Sequence, residues 1–110
     1  MFGNNIRKIE RLTDRKKSEA LAKFLTNKDE QVRIAAVRGL GASGGDSAFN
    51  NLTSLLRDGN SPVRAAAATA LRALEDPRAV AFISNCLKDE KDPAAKEAMS
   101  RALSAFSGTY

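Results

Sequence analysis

The sequence predicts an all-α fold, an α-solenoid of about three stacked antiparallel helix hairpins preceded by a short N-terminal capping helix. Three observations carry this. Segments DEQVRIAAVRGLGAS from Asp29, NSPVRAAAATALRAL from Asn60 and DPAAKEAMSRALSAF from Asp92 align at offsets of 31 and 32 residues. Apolar residues in and before these segments recur at i, i+3 and i+4, the spacing of one helical face. The stretches between the helical patterns are polar turns of Asp, Asn, Gly and Pro.

The first element is a helix from about Asn5 to Thr13 within a cap spanning 5–17, its Ile6, Ile9 and Leu12 turned inward to cover the edge of the first hairpin. Three helix pairs, 18–45, 46–76 and 77–107, follow in a single domain. Their first helices carry Leu21/Phe24/Leu25, Leu52/Leu55/Leu56 and Ile83/Cys86/Leu87. The turns TNKDEQ, RDGNSP and KDEKDP come next. The second helices align Val32, Val63 and Ala95 in one column, Ala36, Ala67 and Met99 in another, and Leu40, Leu71 and Leu103 in a third. Alanine crowds these helices on two sides, as in Ala65, Ala67, Ala68 and Ala70, so each is expected to be sandwiched between neighbours at close range. The extra residue of the third copy falls between Leu87 and Ala95, where a polar turn tolerates it. Phe24, Phe49, Phe82 and Phe106 fall mostly on core spacing, Phe106 in the column of Leu74. The closing SGTY is expected to fray. An open C-terminal face near Phe82, Met99 and Phe106 leaves either a monomer partly covered by SGTY or a homodimer.

Composition narrows the chemistry. The chain has 110 residues, 18 Lys+Arg against 13 Asp+Glu, no His and one Cys. Without His it lacks the commonest metal ligand and the usual general base near neutral pH. Cys86 alone makes no intramolecular disulfide and no Cys cluster. Apolar runs fall short of the ~18 residues of a membrane span, and MFGNNIRKIERL has no apolar signal core. The expectation is a cytoplasmic protein with no membrane partner. The acidic residues gather in turns (Asp29/Glu30, Glu75/Asp76, Asp89/Glu90/Asp92), where they cap helices. Cys86 shares a column with Phe24 and Leu55 and reads as a packed thiol. Gly39, Gly41 and Gly44 fit G-x-G-x-x-G, with Asp58 downstream, as in a dinucleotide-binding turn. The repeat register places these glycines instead at the end of an alanine-rich helix. No catalytic residue, cofactor or metal is expected.

Charge is uneven. Residues 1–17 hold Arg7, Lys8, Arg11, Arg15, Lys16 and Lys17 against Glu10 and Asp14, a basic patch suited to a phosphate backbone or an acidic protein, or simply a solvated helix face.

NSPVRAAAATALRAL and DPAAKEAMSRALSAF resemble HEAT repeats of the short bacterial kind found in phycobilisome-lyase-like proteins. The similarity covers about residues 18–106, and NNIRKIERL resembles the short helix that often opens such chains. The resemblance implies first helices on a convex side and second helices on a concave one. It also implies that Asn27, Asp58 and Asp89 sit in the intra-repeat turns and meet Arg33, Arg64 and Lys96 in a ladder between units. Asn27 and Lys96 depart from the Asp and Arg of that pattern. On a concave second-helix face, Arg38, Thr69, Arg72 and Arg101 form a candidate binding surface. The functional expectation is a non-enzymatic scaffold binding a protein or peptide. A second reading is phosphate-backbone binding of nucleic acid through the basic helix and these arginines, though the chain offers few aromatics for base stacking. A third is a pigment-lyase-like accessory role.

Overall fold

Each of the three long second helices begins at a side chain that satisfies one of its free N–H groups. In the computed structural model, which describes residues 2–107 (Phe2 by its backbone alone), Asp29 accepts from the Gln31 N–H at 2.8 Å, Asn60 from Val63 at 3.0 Å and Asp92 from Ala95 at 3.0 Å. These are the three aligned starting positions of the repeat, and an N-cap there fixes where each helix starts. Among the described residues the helices are α1 (Phe2–Asp14), α2 (Ser18–Ala22), α3 (Glu30–Ser43), α4 (Asp46–Leu55), α5 (Ser61–Leu74), α6 (Ala79–Asp89) and α7 (Pro93–Ser107), with no strand. A 3-10 turn, Lys23–Thr26, continues α2. The first helix of unit one is therefore shorter than its apolar spacing predicts, and Phe24 and Leu25 sit on the tightened turn.

The helices form two layers. Within units, α2 packs on α3, α4 on α5 and α6 on α7, while α3, α5 and α7 stack in succession and α4 bridges α2 and α6. The stack measures 40 × 27 × 17 Å. Leu21, Leu52 and Ile83 are fully buried, as are Val32, Ala36, Ala67, Leu40, Leu71, Ala95 and Met99, and all of these but Ala95 belong to one continuous core.

α1 belongs to the second-helix layer. It packs on α3 as α3 packs on α5. Twenty-eight residues separate Ile6 from Ile34, Ile9 from Val37 and Leu12 from Leu40. Ile9 is buried and Ile6 and Leu12 are half-buried against the core. In the same register Lys8 and Arg11 stand where later units carry Ala36 and Gly39, and both are exposed. α1 thus packs in the layer of second helices, and its outer face carries cations where α3 carries small apolar residues.

Gly39 and Gly41 lie inside α3. A methyl group on Gly41 would sit 2.8 Å from the Ala70 Cβ and 2.9 Å from its Cα, and one on Gly39 would sit 2.5 Å from the Thr13 Oγ1. The glycines therefore serve helix approach, and the G-x-G-x-x-G spacing is not a phosphate-binding turn. Gly44 and Gly45, with φ of 76° and 92°, make the left-handed turn into α4.

Two expectations at the C-terminal end are corrected. Met99 is fully buried, because its column, shared with Ala36 and Ala67, faces the core. The residue of α7 in the column of the buried Val37 and Ala68 is Ser100, which is exposed, as is Lys96. Phe82 is the other correction. It is 46% exposed, meeting Phe49 edge to face at 5.9 Å between ring centroids. Phe106 is half-buried, while residues 108–110 of the SGTY segment, expected to fray or cover this end, lie outside the described residues.

Candidate functional site

Two open grooves run where successive second helices meet. The first, about 680 Å³ between α1 and α3, has Ile6, Ile9, Ala35 and Gly39 along it, with Arg7, Arg11 and Arg38 and the carboxylates of Glu10 and Asp14. The second, about 460 Å³ between α3 and α5, is floored by Ile34, Ala66 and Ala70, with Arg38, Pro62, Thr69 and Ala73 at its rim. Among the described residues no carboxylate lines the second groove. Arg38 borders both, because it stands on the outer crest of α3. Thr69 holds the equivalent place on α5, its hydroxyl bonded to the Ala65 carbonyl at 3.2 Å. Arg101 holds it on α7, tied to Glu97 at 2.8 Å. Arg72 lies one turn past Thr69 and is exposed.

Most arginines elsewhere are engaged. Arg33 donates to the Asn27 carbonyl, Arg57 faces Asp89, and Arg78 holds Asp76 at 2.6 Å. The Arg78 guanidinium also lies 4.4 Å over the Phe49 ring, a cation–π contact in the first-helix layer. By contrast Arg7, Arg11, Arg15, Arg38 and Arg72 have no ion pair or side-chain hydrogen bond among the described residues.

The basic N-terminal residues do not line one groove. Arg7 and Arg11 share the first groove with Arg38, whereas Lys16 and Lys17 line a separate hollow with Lys23 and the Gly44–Gly45 turn. Lys8 and Arg15 are exposed outside both.

The ladder residues are placed as follows. Arg33 and Arg64 each bond a turn carbonyl of their own unit, Asn27 and Asp58 respectively. Arg64 also reaches the next unit, where it meets Glu90 rather than Asp89. Asp89 is exposed, 3.5 Å from the exposed Arg57, and Lys96 is exposed on α7. The turn geometry explains the change of partner. Asn27 accepts from the Asp29 N–H, Asp58 from Asn60 and Glu90 from Asp92. The third-copy insertion thus precedes Glu90, which takes the column assigned to Asp89. Counting back two residues from each capping residue is the signal that finds it.

Glu90 is the buried charged residue of the described chain. Arg64 holds its carboxyl down to about 2, against burial, which pushes it up. Burial raises the Cys86 thiol, in keeping with a packed cysteine. Among the described residues no cluster of His, Cys, Asp or Glu is arranged to hold a metal ion, and no helix is long and apolar enough to cross a membrane.

These features define a helical-repeat stack whose open surfaces are grooves between helices. The family model of HEAT repeats matches residues 18–104, and the chain belongs to the HEAT-repeat family. No curated protein matches the chain. HEAT repeats generally act as protein-interaction scaffolds and are typically not enzymes.

Proposed function

We propose that this chain is a non-catalytic scaffold that binds a protein or peptide on the outward face of the α1–α3–α5–α7 layer, through Arg38, Thr69, Arg72 and Arg101. The observation that carries this reading is the α3–α5 groove, apolar along its floor and rimmed by Arg38, which has no partner among the described residues. Family membership supports the class of function. The polar outer edge of α7, with Lys96 and Ser100 exposed, favours a monomer over a dimer through that end.

A second reading, a phosphate-backbone contact, draws on Arg7, Arg11 and Arg38 around one groove. Glu10 and Asp14 in the same groove oppose it. The experiment is a photo-crosslinking side chain at Thr69, with the same label at exposed Ser54 of α4 as control. Protein capture at 69 that survives nuclease, and none at 54, is the expected outcome. Capture at 54 alone, or capture abolished by nuclease, rejects the proposal.

A further inference from the structure

We infer that the outward face takes an acidic, extended segment of a partner, laid across α3 and α5 with carboxylates against Arg38 and Arg72. This deepens the proposed function and rests on its choice of face.

Charge complementarity leads the argument. Arg57 and Arg78 near the first-helix layer are already neutralised by Asp89 and by Asp76 and Asp46. Arg33 and Arg64 are held by turn groups. Arg38 and Arg72, on adjacent helices, have no partner among the described residues. The groove between these helices has no carboxylate among its described lining residues; Glu10 and Asp14 lie in the other groove that Arg38 borders, and neither forms an ion pair with it among the described residues. A planar guanidinium takes a carboxylate in two parallel hydrogen bonds.

Geometry sets the form of the ligand. α3 and α5 touch through Gly41 and Ala70, and helices packed in this way have axes about 8–10 Å apart. A segment in the polyproline II conformation advances about 3.1 Å per residue with three residues per turn, so every third side chain returns to the same side about 9 Å further on and matches that spacing. The expected ligand has Asp or Glu at i and i+3, with small or apolar residues between to lie over Ala66, Ala70 and Ala73. The short side chains there let a ligand backbone come close. Nucleic acid is the poorer occupant, because among the described residues no aromatic side chain lines either groove to stack a base.

The test is fluorescence anisotropy of the full chain with a labelled twelve-residue peptide carrying Glu at every third position and Ala or Leu elsewhere. Its lysine counterpart and a single-stranded DNA of equal charge are the comparisons. Arg38 and Arg72 are exposed and unpaired, so the double variant Arg38→Glu/Arg72→Glu should fold normally by circular dichroism. It should bind the glutamate peptide about tenfold more weakly or worse. Arg101→Glu, whose guanidinium is already shared with Glu97, should have a smaller effect. No peptide binding, equal binding by the double variant, or preference for the DNA overturns the inference. If the peptide fails while the Thr69 label still captures protein, the acidic ligand is wrong and the docking face stands. If both fail, the face itself is wrong.

Discussion

Arg64 joins the second helix pair to the third by donating from Nε and Nη2 to the two carboxylate oxygens of Glu90, at 2.7 and 2.9 Å. Its Nη1 remains on the Asp58 carbonyl at 2.7 Å. Glu90 in turn accepts the Lys91 and Asp92 N–H groups at the start of α7. One carboxylate therefore ties two units together and orders the turn into the last helix.

That pair makes stability depend on acid. The ordinary Glu value of 4.5 falls to about 2 in the folded chain, chiefly through Arg64. The folded state binds the proton less readily than the unfolded state, so the stabilisation is fully present above pH 4.5 and is lost as pH falls from there to 2. The shift corresponds to at most about 3 kcal/mol. Glu90→Gln should be destabilised near neutral pH and should flatten the acid limb of a urea-midpoint profile. A variant that tracks the parent between pH 5 and 2 would show that Glu90 does not set that limb.

Leu71 and Leu103 share a column but not an environment. Leu71 is fully buried between units, whereas Leu103 on α7 is half-buried. Leu71→Ala should cost about 2–5 kcal/mol through lost transfer energy and a poorly relaxing cavity. Leu103→Ala should cost distinctly less, because water already reaches the site. Urea denaturation of both variants, compared by midpoint at unchanged slope, measures the difference.

The core was legible because helical period maps directly onto burial. Leu21, Leu52 and Ile83, or Val32, Val63 and Ala95, are read from spacing alone and need no knowledge of neighbours. The register of the third turn was not. An inserted residue fits on either side of Asp89 as far as hydrophobic period is concerned, and only the hydrogen bond from the Asp92 N–H to Glu90 decides. α1 was legible as an amphipathic helix but not as a member of the second-helix layer, since its offset from α3 is 28 rather than 31. At the binding face, residue type and column locate Arg38, Thr69 and Arg101 on matching crests. Which arginines lack an internal partner depends on side-chain contacts between distant turns, which spacing does not encode.

Two glycines should respond to the same substitution with opposite signs. Gly41→Ala places a methyl 2.8 Å from the Ala70 Cβ and 3.0 Å from the Ala70 carbonyl oxygen, contacts that α5 can relieve only by moving. It should destabilise by about 1–3 kcal/mol. Gly3, in the first turn of α1, has nothing within 4 Å of the added methyl. Gly3→Ala should stabilise by about 0.5–1 kcal/mol, since alanine loses less backbone entropy in a helix. Thermal melts of the two variants should bracket the parent.

The place of α1 in the stack makes the last prediction. Ile9 is 3% exposed against α3, although it lies in a helix otherwise dominated by exposed charge. If α1 is a working member of the second-helix layer, Ile9→Ala removes a shared core contact and should lower the stability of the whole chain by about 2 kcal/mol or more. Lys8→Ala, one residue away on the exposed side, should change it by less than about 0.5 kcal/mol. Hydrogen exchange separates this from a loosely attached segment. Weakening α1 in a cooperative stack should speed exchange of α3 amides such as Val37 and Leu40, because their protection depends on the helix that covers them. Faster exchange confined to residues 2–14, with an unchanged global midpoint, would show that α1 folds and unfolds independently of the repeats.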